Sequence, residues 1–107
     1  MSVIEEIAAE RRRQIEVEGW TPEHDDEHSD GEMAYAAACY AAGPEAFTYV
    51  PILHALWPWD QSWWKPGNDR RNLIKAAALI VAEIERLDRA STLTRPKIDS
   101  DLDRSAA

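Results

Sequence analysis

Apolar positions recur with a helical period in three stretches and lose it between them. From Val3 to Glu18, Ile4, Ile7, Ala8 and Ile15 fall on one face, which predicts an amphipathic helix. Ser2 and Glu5 match a capping box at its start, and Gly19 stops it. Trp20 to Ser29 reads as a polar loop with Pro22 as its turn marker. A second helix is expected from Asp30 or Gly31 to Gly43-Pro44, with Ser29 and Glu32 as another capping box. Its body is nearly all small (Ala34, Ala36, Ala37, Ala38, Ala41, Ala42), so another backbone can approach closely and this helix belongs in the middle of the packing.

Residues 43–67 form the longest irregular stretch, punctuated by Pro44, Pro51, Pro58 and Pro66. Val50 to Leu56 fits a short helical turn or an extended piece. A loop this long is usually functional or disordered, and four tryptophans argue against disorder. The third helix starts at Asn68, a good N-cap, followed by Asp69 at the positive end of the dipole. Leu73, Ala77, Ile80, Ile84 and Leu87 repeat at spacings of four, three, four and three, with Ile74 and Val81 widening the stripe. That pattern predicts a long helix packed on the others, and the same pattern suits a helix–helix subunit contact. From Ser91 the chain turns polar, with Pro96 and alternating charges, and reads as a flexible tail. The expectation is an all-α protein: a compact domain of three, at most four, helices over 1–90, and a tail over 91–107.

A chain of 107 residues is one domain's worth. It buries only about two-thirds of the surface its unfolded form exposes, and self-association is a common remedy, so a homo-oligomer is expected. The net charge of −8 repels a long nucleic acid strand and excludes genomic DNA or RNA as a partner. The single cysteine, Cys39, forms no intrachain disulfide and reads as a small buried hydrophobe. No apolar run approaches the roughly 20 residues that span a bilayer, and no secretory segment leads the chain, so a cytoplasmic protein without a membrane partner is expected.

Two clusters carry candidate chemistry. The first runs from Trp57 to Lys75. Trp57, Trp59, Trp63 and Trp64 offer flat faces on which nucleobases stack, and Lys65, Arg70, Arg71 and Lys75 offer groups for phosphate oxygens beside a helix start. Local positive charge in an acidic chain favours a small anion over a long polyanion. The competing reading is that the tryptophans are core or subunit-interface bulk. The adjacent pair Trp63-Trp64 cannot easily both be buried on one face, so one of them faces a ligand, a partner or solvent. The second cluster, Glu23 to His28, holds four carboxylates and two imidazoles. It reads as a metal site, as a solvated acidic turn before a helix, or as ion pairs to Arg11, Arg12, Arg13, Arg70 or Arg71. A His-x3-His spacing brings both rings to one side only if the segment is helical. The expected ligand-binding set is Trp20, His24, Asp25, Asp26, Trp57, Trp59, Trp63, Trp64, Lys65, Arg70 and Arg71, with no catalytic residue, metal or cofactor assigned.

Two resemblances bear on function. Glu5, Glu6 and Glu10 with Glu85-x-x-Asp88 are similar to the carboxylate pairs of MazG-type nucleotide pyrophosphohydrolases, which hold Mg²⁺ between facing helices. Only the second motif fits by form. The strings Glu10-Arg11-Arg12-Arg13-Gln14, Glu18-Gly19-Trp20-Thr21-Pro22-Glu23-His24-Asp25-Asp26, Trp57-Pro58-Trp59, Trp63-Trp64-Lys65-Pro66 and Ala82 to Leu87 together resemble a family of small accessory proteins of tailed phages and prophages. That resemblance implies a protein acting in the cytoplasm of an infected bacterium and carries no catalytic residues. Phage proteins of this size include sponges for cyclic or ADP-ribose-derived immune nucleotides. The functional expectation is therefore a non-catalytic, homo-oligomeric binder of a small nucleotide-derived ligand. The alternatives are a Mg²⁺-dependent nucleotide hydrolase and an inhibitor that docks its tryptophans on a host protein.

Overall fold

A computed structural model describes residues 1–94, with side chains through Ser91, and among these every regular element is helical. α1 (Val3–Glu16), α2 (Pro22–Asp26), α3 (Glu32–Ala42), α4 (Ala46–Tyr49), α5 (Leu53–Leu56), a 3-10 turn (Gln61–Trp63) and α6 (Asp69–Thr94) follow in order. The expected all-α class holds, with three more short helices than the periodicity announced. α6 runs through 91–94; residues 95–107 of the expected tail lie outside the described residues.

Local signals placed the main helices well. Ser2 Oγ accepts from Glu5 N–H at 3.1 Å while Glu5 accepts from Ser2 N–H at 3.0 Å, closing the capping box. Asn68 Oδ1 accepts from Arg71 N–H at 2.8 Å at the head of α6. The second capping box does not form. α3 starts from Gly31 at φ 86, and Glu32 turns back to accept from Asp30 N–H at 2.7 Å. The segment read as a polar loop contains α2. Thr21 caps it, accepting from His24 N–H at 3.2 Å, and Pro22 sits in the first turn, where its fixed φ and missing donor cost nothing.

α3 lies at the centre, packed mainly on α6 and also on α5. Its Met33, Ala36, Ala37, Cys39 and Tyr40 are buried, and the facing side of α6 is Ala76, Leu79 and Ala82. Alanine against alanine lets the two backbones come close, so α6 turns its small-residue face inward. The Leu/Ile stripe expected to pack on the other helices is consequently outside: Leu73, Ile80, Ile84 and Leu87 are each about half exposed (55, 48, 52 and 50 %). On α1, Ile7 and Ile15 of the expected apolar face are only partly buried. Ile4 is 74 % exposed, whereas Glu10, Arg11 and Gln14 are buried.

That buried polar face of α1 is held by charge. Arg11 donates to Asp25 Oδ2 of α2 at 2.9 Å, to Glu85 Oε1 of α6 at 3.3 Å and to the Trp20 carbonyl at 3.2 Å. Glu10 accepts from Arg13 at 2.8 and 3.0 Å, from Gln14 at 3.2 Å and from Arg71. Asn72, 1 % exposed, accepts from Gly67 N–H at 2.7 Å and donates to Gly67 O at 3.1 Å, tying the end of the tryptophan loop to α6.

Candidate functional site

All five tryptophans belong to one network of ring contacts. Trp57, 8 % exposed, meets Tyr40 at 5.7 Å, Trp59 at 5.5 Å and Trp64 at 5.0 Å between ring centroids. Trp64 continues to Phe47 at 5.3 Å, and Trp59 to Trp20 at 5.3 Å. Trp20 in turn meets Trp63 at 6.2 Å. Offset and edge-on pairs of this kind add about 0.5–1.5 kcal/mol each beyond the area they bury. The loop is therefore an aromatic lid on α3. Trp57 is core, Trp20, Trp59 and Trp64 pack against the core, and Trp63 is the tryptophan left exposed, at 39 %.

Hydrogen bonds fix the lid. Tyr40 Oη donates to the Trp63 carbonyl at 3.4 Å and accepts from Lys65 N–H at 3.1 Å. Trp57 Nε1 donates to the Asp60 carbonyl at 3.1 Å, and Lys75 Nζ to the Lys65 carbonyl at 2.6 Å. Trp59 Nε1 is buried and has no hydrogen-bond partner among the described residues.

Between α1 and this lid lies a narrow cleft of about 20 Å³, space for one water. Glu10, Arg13, Gln14, Glu18, Trp20, Tyr40, Trp63, Lys65 and Lys75 line it. The cleft joins Trp20, Trp63 and Lys65 of the expected set to residues that sequence reasoning left out. Gln14 is 2 % exposed, and its Oε1 accepts no hydrogen bond from the described residues. Burial pushes the Glu10 carboxyl up, but hydrogen bonds from Arg13 and Arg71 outweigh it and hold it below the usual range. Burial, then the nearby Arg71 charge, pulls the Lys75 ammonium down, and burial pushes the Tyr40 phenol up. Lys65 Nζ stands 5.4 Å above the Trp63 ring and 3.6 Å from Glu18.

The other expected residues sit elsewhere. Arg70 is paired with Glu6 at 2.6 and 2.8 Å, which lowers the Glu6 carboxyl, and Arg71 is paired with Glu10. Asp25 is 1 % exposed and committed to Arg11; burial raises its carboxyl despite that partner. Asp26 holds Arg89 at 2.8 Å. The ion-pair reading of the acidic cluster thus describes Asp25. Glu6, Glu10 and Glu85 each face a guanidinium, and no group of three or more His, Cys, Asp or Glu is placed around one point among the described residues. His24, on α2, and His28, just past its end, are brought together by the helical turn, with Nε2 atoms 3.3 Å apart.

The clue to the missed cleft residues was present in Glu10-Arg13-Gln14. Acid, base and amide at i, i+3 and i+4 share one helical face, and here that face is the inner one. No protein family, curated protein or solved structure matches the chain.

Proposed function

We propose that this chain is a non-catalytic binder of a small nucleotide-derived anion, acting as a homo-oligomer to sequester an immune signal, by analogy with the sponges found among small phage proteins. The observation that carries the reading is the cleft. An exposed tryptophan face adjoins Lys65 and Lys75, and the unpartnered Gln14 Oε1 beneath offers an acceptor to an N–H or O–H donor of the ligand. The ring of the ligand stacks on the outer face of Trp63, since the cleft itself has room for about one polar group. The ammonium groups of Lys65 and Lys75 supply the attraction for phosphate, beside Arg13, which Glu10 and Glu18 hold at 2.8–3.0 Å.

The exposed stripe of α6 supports the oligomer. Its positions are symmetric about Ile80, seven residues from both Leu73 and Leu87, so an antiparallel copy sets Leu73 against Leu87, Ile80 against Ile80 and small Ala77 near larger Ile84. The same arrangement lays Arg70, Arg71 and Lys75 toward the half that carries Glu83, Glu85 and Asp88.

Calorimetry with a panel of cyclic dinucleotides and ADP-ribose isomers tests the binding. The expected result is saturable heat for at least one of them, lost in Trp63→Ala, with intact ligand recovered after heat denaturation. No heat at protein concentrations well above micromolar overturns the binding, and a hydrolysed product in the supernatant overturns the non-catalytic role. Sedimentation of wild type and Ile80→Asp tests the oligomer: a wild type that is already a monomer refutes it.

A further inference from the structure

We propose that His24 and His28 form a two-histidine site for a transition-metal cation of the Zn²⁺, Ni²⁺ or Cu²⁺ class. Their Nε2 atoms lie 3.3 Å apart, and the ring centroids are farther apart, at 4.6 Å, so the two nitrogens point inward. Two imidazole nitrogens bound at about 2.0–2.1 Å to one tetrahedral ion stand roughly 3.3–3.4 Å from each other. Behind each ring is a carboxylate: Glu32 Oε2 lies 3.2 Å from His28 Nδ1, and Asp25 Oδ1 lies 3.4 Å from His24 Nδ1.

Those carboxylates decide the tautomer. Each carboxylate is placed to accept from the Nδ1–H of its ring, which leaves Nε2 of each ring as the ligating nitrogen. At 3.3 Å the two Nε2 atoms are spaced to share one cation. A neutral His–His hydrogen bond would instead set a bare Nδ1 against Asp25 or Glu32, acceptor against acceptor. Imidazole donors select Zn²⁺, Ni²⁺ or Cu²⁺ over Mg²⁺. The rings are fixed from outside, His24 stacked on Trp20 at 5° between planes and His28 edge-on to Trp59. Their side chains are 35 and 21 % exposed, so an ion reaches them from solution. Two protein ligands leave the remaining coordination positions to solvent or a bound ligand. The site shares the Trp20 ring with the Gln14 cleft but neither histidine lines that cleft, and it does not depend on nucleotide binding.

Titration of the tag-free full chain with NiCl₂, CuCl₂, ZnCl₂ and MgCl₂, followed by tryptophan emission and calorimetry, tests the proposal. One Ni²⁺ or Cu²⁺ per chain is expected, with quenching of emission. Zn²⁺ should restore the emission by displacing Ni²⁺, and Mg²⁺ should do neither. His24→Ala and His28→Ala should each weaken binding at least tenfold, and His54→Ala should leave it unchanged. Selective broadening of the His24 and His28 imidazole resonances by Ni²⁺ in the wild-type chain locates the ion even if a variant misfolds. Absence of saturable binding up to millimolar metal overturns the proposal. Equal affinity in His28→Ala and His54→Ala also overturns it.

Discussion

Replacing Arg11 with methionine isolates the buried ion pair that joins α1 to α2. Methionine keeps much of the aliphatic stem and removes the guanidinium. Of its three acceptors, Glu85 is 52 % exposed at the side chain and regains water, and the Trp20 carbonyl loses one hydrogen bond worth about 1 kcal/mol. Asp25 is different: its side chain is 2 % exposed, and it is left as an unpaired buried charge. Breaking such a pair from one side costs about 3–5 kcal/mol. Protonation sets a ceiling for Asp25. Neutralising a carboxyl whose ordinary value is 3.8 at pH 7 costs about 4 kcal/mol, at about 1.36 kcal/mol per pH unit. The expected loss is therefore about 3–4 kcal/mol at pH 7. A chain of this length has about 5–15 kcal/mol in total. The assay is urea unfolding followed by tryptophan emission, with the midpoint falling by roughly 1.5–4 M at a slope of about 1–2 kcal/mol per M. The sign of the pH dependence follows from the same argument. Once Asp25 is protonated in the folded variant, the deficit relative to wild type shrinks as pH falls toward 5, by about 1.4 kcal/mol per unit. Arg11→Met/Asp25→Asn should recover most of the loss. A loss below about 1 kcal/mol, a deficit independent of pH, or a double variant no more stable than Arg11→Met refutes the reasoning.

Trp57→Ala should cost about 3–5 kcal/mol in the same urea assay, because a buried indole is removed, whereas Trp63→Ala should cost under about 1 kcal/mol. The Glu10 carboxyl is held below its ordinary 4.5, so its contribution is present above that value and lost as pH falls through the folded-state value; Glu10→Gln should flatten the fall of melting temperature between pH 5 and 3. Asp25 has the opposite sign: its folded-state value is raised above 3.8, so its contribution is present below 3.8 and lost as pH rises through the raised value. Cys39 is fully buried, and burial pushes its thiol up, so it should react with an aromatic disulfide reagent only after urea unfolds the chain.

The parts of this fold that were legible in the sequence are those decided within a few residues. Ser2 with Glu5, Asn68 with Arg71, and the small body of α3 are local facts, and the chain obeys them. The orientation of α6 was not legible. That helix carries two apolar faces, Leu73-Ala77-Ile80-Ile84-Leu87 and Ala76-Leu79-Ala82, and period alone does not say which goes inside. Hydrophobicity favours the first; the close approach that α3's alanines permit selects the second. The partners of Arg70 and Arg71 were hidden for a related reason. Glu6 and Glu10 lie more than sixty positions away, and nothing local distinguishes an arginine destined for a carboxylate from one awaiting a phosphate. The histidine pair was visible as His-x3-His, but its meaning turned on whether Thr21-Pro22 opened a helix.

The unbroken contact of indole rings also has an optical consequence. Excitation absorbed by any tryptophan passes to its neighbours by dipole coupling before it is emitted, because the rings stand 5.0–6.2 Å apart from Trp64 through Trp57, Trp59 and Trp20 to Trp63. The five should therefore emit as one antenna. Depolarised emission from a rigidly folded chain is its signature, and a quencher bound at either end darkens the whole array. Removing Trp59, which couples Trp57 to Trp20, should divide the antenna into two emitters with separate responses to an added quencher.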